Sequence, residues 1–152
     1  MDAMNNILLI YTSMTGNTEL MAETIEAALR EEKVGLIVKE SLDAYPEELL
    51  DYDGIIIGSY TWDGGVVPDE FMDFYEEMDR LDLTGKKAAV FGSGDTYYSS
   101  TFCKAVDLIS EKLASLGAII TVDGMKADLT PEDEVLDKCR QFAKEFARSL
   151  TD

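Results

Sequence analysis

Five short apolar runs, at residues 7–11, 36–38, 55–57, 88–91 and 118–122, punctuate the chain, and most are continuous rather than alternating. A strand wetted on one face alternates apolar with polar residues. A continuous run reads instead as a strand covered on both faces, as in a parallel sheet. Between the runs, apolar residues recur three and four apart. Met21, Ile25, Ala28 and Leu29 form one stripe, and Phe71, Phe74, Tyr75 and Met78 a second. Val106, Ile109, Leu113 and Leu116 form a third, and Leu136, Cys139, Phe142, Ala143, Phe146 and Leu150 a fourth. That spacing lines one face of a helix. Strands and helices in alternation, ending on a helix, build a doubly wound α/β fold: a parallel sheet with helices on both faces. Thr130-Pro131-Glu132-Asp133 offers the last helix a cap, a first-turn proline and two acids. Leu116-Gly117 offers the third helix a stop. Residues 46–50 read either as one short helix or as a loop with a turn.

Composition narrows the function. The 152 residues are expected to form one domain over 1–152, with 46% apolar residues to fill its core. A net charge of −18 repels nucleic acid and anionic lipid, favours partners with a basic face, and makes a monomer the expectation. No histidine is present, which removes Ser-His-Asp and Cys-His nucleophiles and His-ligated metals. Cys103 and Cys139 have no metal-ligand spacing and are expected to be reduced packing residues of a cytoplasmic protein. Neither opens the Cys-x5-Arg motif of a small tyrosine phosphatase, because Ile109 and Glu145 stand at the arginine positions. No signal peptide is visible: the first basic residue is Arg30, and the first apolar run is short. No run approaches the roughly 18 apolar residues of a membrane span.

In such sheets ligands bind beyond the carboxyl ends of the strands, so the segments after the strands carry the chemistry. The first is Thr12-Ser13-Met14-Thr15-Gly16-Asn17-Thr18: four hydroxyls, one amide and one glycine, leading into a helix. A helix start offers unpaired amides and partial positive charge, and the hydroxyls add donors, which together suit a phosphate monoester. The lysine of a nucleotide P-loop is missing, so a nucleoside triphosphate with Mg²⁺ fits poorly. An ordinary cap and turn would use the same residues.

The third run leads into Ser59-Tyr60-Thr61-Trp62-Asp63-Gly64-Gly65, which carries the only tryptophan. That ring either covers a planar ligand or caps the core. The fourth leads into Gly92-Ser93-Gly94-Asp95-Thr96-Tyr97-Tyr98. Tyr97 replaces the third glycine of a dinucleotide fingerprint, so an NAD site is not indicated. Its backbone could meet a heterocycle's edge, or it is a surface loop with exposed tyrosines. Taken together, one loop suits a phosphate and two suit a flat ring. A flat heterocycle with one phosphate is flavin mononucleotide, FMN.

These motifs resemble those of the flavodoxins over essentially the whole chain. The most specific is Ser13-x-Thr15-Gly16-Asn17-Thr18-Glu19 after the first strand. Thr61-Trp62 resembles the second flavin loop. Gly94-Asp95 with Tyr98, Phe102-Cys103 and Ala105-Val106-Asp107 resembles the third. The length, and a direct run from a fifth strand at 119–125 into the last helix, resemble the short-chain type. The resemblance implies a five-stranded sheet in order 2-1-3-4-5, non-covalent FMN, and low-potential one-electron transfer between a reductase and acceptor redox proteins, with no substrate turnover. By position it implies that Ser13, Thr15, Asn17 and Thr18, with the amides of Met14 through Thr18 including Gly16, hold the phosphate. Trp62 and Tyr98 would cover the two faces of the ring. Backbone of Thr61, Ser93, Asp95 and Cys103, with Gly94 between, would meet its polar edge.

In the family the peptide after the tryptophan turns over on one-electron reduction, so that its carbonyl accepts a hydrogen bond from N5. Here that peptide is Asp63-Gly64. Many short-chain members have glycine at the first position, and Asp63 restricts φ, so the turnover is expected to cost more. Tyr97 is a second departure. Reduced FMN is anionic, and Asp63, Asp69 and Asp95 lie in or beside the flavin loops. One charge ~10 Å away at an effective dielectric near 20 disfavours the anion by roughly 1.7 kcal/mol.

Three other readings differ in class. An FMN-dependent quinone reductase would need a nicotinamide pocket on the face that Tyr98 covers. A phosphoacceptor receiver would need acids where Thr12-Ser13 and Ser59-Tyr60 stand. A scaffold without cofactor would not need the phosphate loop.

Overall fold

The structure is a computed structural model and describes residues 6–12, 16–60, 67–94, 103–128 and 133–150. In chain order the elements are β1 (Asn6–Tyr11), α1 (Asn17–Arg30), β2 (Gly35–Glu40), β3 (Gly54–Tyr60), α2 (Asp69–Glu77), β4 (Lys87–Gly94), α3 (Lys104–Ser115), β5 (Ile119–Ile120), β6 (Met125–Asp128) and α4 (Asp133–Ser149). The sheet is parallel throughout, in order β2-β1-β3-β4-β5, with β6 continuing beside β4. This is the expected 2-1-3-4-5 order.

Alternate residues of β1, β3 and β4 enter opposite core layers, which is why those runs are continuous, whereas the edge strands are covered on one face only and leave Ile37 of β2 and Ile119 of β5 exposed. Leu8, Ile10, Ile55, Ile57, Ala88 and Val90 pack with Phe71, Phe74 and Met78 and with Val106, Ile109 and Leu113. Ile7, Leu9, Ile56, Ala89 and Phe91 pack on the other side with Met21, Ile25 and Leu29 of α1 and Phe142 and Phe146 of α4. The Phe91 and Phe142 rings meet edge to face, with centroids 6.2 Å apart. All four helical stripes therefore face the sheet. On α4, Val135 packs against the core while Leu136 is half-buried.

Two boundaries differ from expectation, and the open reading at 46–50 resolves to a helix. The outer strand at 119–125 is not one run: Ala88 pairs with Ile120, and Phe91 pairs with Met125. Ala89 and Val90 thus stand opposite residues 121–124, and the surplus leaves the ladder as a detour through Asp123-Gly124. Residues 46–50 are helical, within a 3₁₀ turn at Pro46–Asp51. The Tyr45 amide donates to the Glu48 carboxylate at 2.7 Å, closing its start. Ser59-Tyr60 and Gly92-Ser93-Gly94, read as loop, belong to β3 and β4, because Ser59 pairs with Gly92 and Tyr60 with Ser93. Gly117 ends α3 as expected, at φ 103. The cap at Thr130-Pro131-Glu132 lies outside the described residues.

Candidate functional site

β1, β3 and β4 run parallel, so their carboxyl ends and the start of α1 share one edge of the sheet. The Thr12 amide donates to the Gly58 carbonyl at 2.9 Å and extends the β1–β3 ladder to the last residue before the first loop. The buried Thr12 and Ser41 hydroxyls are hydrogen-bonded to each other, tying that point to the turn after β2.

Gly16 precedes α1 at φ 93, ψ −10, with open space where a Cβ would stand. Glycine is required there for its backbone angle and not for room. The Leu20 amide makes the first intrahelical bond, to the Gly16 carbonyl at 2.9 Å. The amides of Asn17, Thr18 and Glu19 come before that bond and have no carbonyl of the helix to donate to. Thr18 is buried, and its hydroxyl lies 2.8 Å from the buried hydroxyl of Ser93. The structure thus brings together two predicted residues from different loops.

At the end of β3 the Tyr60 phenol donates to the Glu70 carboxylate at 2.5 Å. Burial, followed by that bond and the charge of Glu70, raises the phenol well above its ordinary pKa. Tyr11, at the end of β1, is also raised, first by burial and then by the charges of Glu19, Glu40, Glu23 and Glu26. Gly94 closes β4. Cys103 caps α3 at φ 50, ψ 33, with its thiol packed inward, 3.8 Å from the Gly92 carbonyl and 3.7 Å from that of Ala127.

Of the predicted site, Gly16, Asn17, Thr18, Ser93, Gly94 and Cys103 are described. Ser13, Met14, Thr15, Thr61, Trp62, Asp63, Gly64, Asp95 and Tyr98 lie outside the described residues. Ser41 and Glu70 were not anticipated. The strand order could have pointed to Ser41, since β2 neighbours β1; nothing in the sequence marks Glu70.

The described rim suits a phosphate monoester: amides at a helix start and neutral hydroxyls, with no Lys or Arg at residues 11–20. FMN carries such a group on a flat ring. Among the described residues no cluster of acids and thiols could hold a metal ion.

A family model described as Flavodoxin matches residues 9–142. The chain is 42% identical over 146 residues to Probable flavodoxin 2 of Bacillus subtilis, covering 95% of this chain and 96% of that one. It is similar to oxidised Flavodoxin 1 from Bacillus cereus at 47% identity and TM-score 0.92, covering 95% and 98%. It is also similar to a short-chain flavodoxin associated with a bacterial microcompartment, at 30% identity and TM-score 0.92, covering 97% and 99%.

Proposed function

The chain belongs to the flavodoxin family, and we propose that it carries single electrons at low potential between redox proteins that present a basic face. It is an FMN-binding electron carrier whose partners are reductases and acceptor proteins, and it turns over no substrate of its own. FMN supplies the redox chemistry when bound, and the protein supplies grip, exposure and field.

Ser13, Thr15, Asn17 and Thr18, with the amides from Met14 to Thr18, hold the phosphate. Trp62 and Tyr98 cover the ring. Backbone of Thr61, Asp63, Gly64, Ser93, Gly94, Asp95 and Cys103 meets its edge. The observation that carries this assignment is the convergence of Gly16, Thr18 and Ser93 on the start of α1, where neutral donors replace cations.

The net charge of −18 supports both a monomer and steering toward basic partners. The same field disfavours a reduced, anionic ring and so supports low potential. Only two cysteines in 152 residues, both buried, support a cytoplasmic setting, and residues 1–152 form one domain. Among the described residues no helix is long and apolar enough to cross a membrane.

The test is reconstitution. Apoprotein mixed with FMN should turn yellow and release the flavin intact on denaturation. A colourless product with no heat of binding in calorimetry overturns the cofactor assignment. Electron transfer to a basic partner should slow as salt rises; a salt-independent rate overturns the steering.

A further inference from the structure

Thr18 and Ser93 are 75 residues apart in sequence, yet their hydroxyl oxygens lie 2.8 Å apart with the side chains 1% and 5% exposed. We propose that Ser93 is a positioning residue for the phosphate of FMN: its hydroxyl donates to Thr18 Oγ1 and so turns the Thr18 proton toward the anion. The inference rests on the FMN reading above and deepens it.

The argument is a proton count. Each hydroxyl carries one proton and two lone pairs. The bond between the pair uses one of the two protons, and either oxygen could supply it. A phosphate dianion only accepts. Were Thr18 the donor to Ser93, Thr18 would present nothing but lone pairs to the anion. An anion at the start of α1 therefore orders the pair in one sense, with Ser93 giving to Thr18 and Thr18 giving onward. Bonds in such a chain polarise each other, and the one that ends on an anion is the strongest. Burial keeps water from replacing Ser93 as the donor.

The mounting of the two residues fits this role. Ser93 sits inside the sheet, in register with Tyr60 on one side and Ala127 on the other. Its position is fixed by backbone pairing with both neighbouring strands. Thr18 is the second residue of α1, and a helical threonine, unlike valine or isoleucine, has two accessible rotamers. A fixed partner across the interface selects one. With no cation at residues 11–20, each neutral donor carries more of the selectivity for an anion. Because Ser93 is also the second-last residue of β4, the phosphate end of the site is linked to the root of the loop assigned to the ring.

The test compares FMN with riboflavin, which has the ring and no phosphate. Ser93→Ala retains the backbone groups and removes the hydroxyl. The ratio of FMN to riboflavin affinity should fall about tenfold, since the deletion strips a buried hydroxyl of its donor. Ser93→Cys keeps the shape with a weak donor and should lose part of the ratio. Ser93→Thr should retain it. Inorganic phosphate binding to apoprotein should weaken in the same order. An unchanged ratio in both Ala and Cys variants, or equal losses for the two flavins, overturns the proposal while leaving FMN binding intact. Failure of the wild-type chain to bind FMN overturns the underlying reading as well.

Discussion

Gly58 stands beside Phe91 across the β3–β4 ladder, register partner to register partner, and a Cβ on Gly58 would come 2.1 Å from the Phe91 ring. The ring occupies the space that a side chain at 58 would fill, and from there it meets Phe142 of α4. A strand residue without a side chain thereby lets a large aromatic join the sheet to the last helix.

Gly58→Ala should therefore destabilise by about 1–3 kcal/mol, the cost of overpacking a close-packed core. That runs against the usual gain from replacing glycine. Denaturant unfolding measures it. Phe91→Leu in the same chain should recover part of the loss; a stabilised or neutral single variant refutes the packing argument.

Self-repulsion should dominate the salt response. The chain carries a net −18, and most acids in the described ion pairs are exposed, as at Arg80–Glu47 and Arg140–Asp137. Such pairs contribute little, whereas repulsion among surplus acids is screened by salt. Raising NaCl from about 0.02 to about 0.5 M should raise Tm by roughly 5 °C. A falling Tm would mean that the ion pairs outweigh the repulsion.

An ultraviolet titration should find Tyr60 ionising late among the seven tyrosines. Glu70→Gln removes the charged acceptor and should bring the transition down. Burial is the larger cause and persists, so Tyr60 should stay above an ordinary phenol. A full return to the ordinary range would reverse that ranking. The folded phenol is raised, so its contribution to stability is complete below the unfolded pKa near 10 and fades as pH climbs.

Burial pushes the Cys139 thiol up to about 12. An unfolded thiol ionises near 8.5. The folded state thus holds a proton that the unfolded state has lost, and stability should decline between those values by up to about 1.4 kcal/mol per pH unit. Cys139→Ala should flatten that decline. At pH 8 native protein should leave a disulfide reagent unreacted, and denatured protein should consume it with both Cys103 and Cys139. Rapid labelling of the native chain would contradict the burial of both thiols.

The layers were legible because burial writes itself into spacing. Runs such as 55–57 and stripes such as Phe71, Phe74 and Met78 have one packing solution each. The turn into α1 was legible because Gly16, set among hydroxyl residues after the first apolar run, marks a helix start, and the structure places it at φ 93 just before Asn17. Strand ends were not: Gly92-Ser93-Gly94 looks like loop, and pairing with β3 and β6 overrides that composition. The detour at 121–124 was hidden because Val122 continues an apolar run whether or not it is paired. The Thr18–Ser93 and Tyr60–Glu70 bonds depend on which strand ends become neighbours, and no local pattern encodes that.

The interrupted outer strand has a bearing on what else this scaffold could carry. Ile120 and Met125 are each held to β4, so both ends of the intervening stretch are anchored. Doubling the length of a loop with fixed ends costs only about 0.6 kcal/mol. Asp123, exposed between these two anchors, is thus a natural splice point, where a reporter peptide or a whole extra segment could be grafted without displacing one register partner.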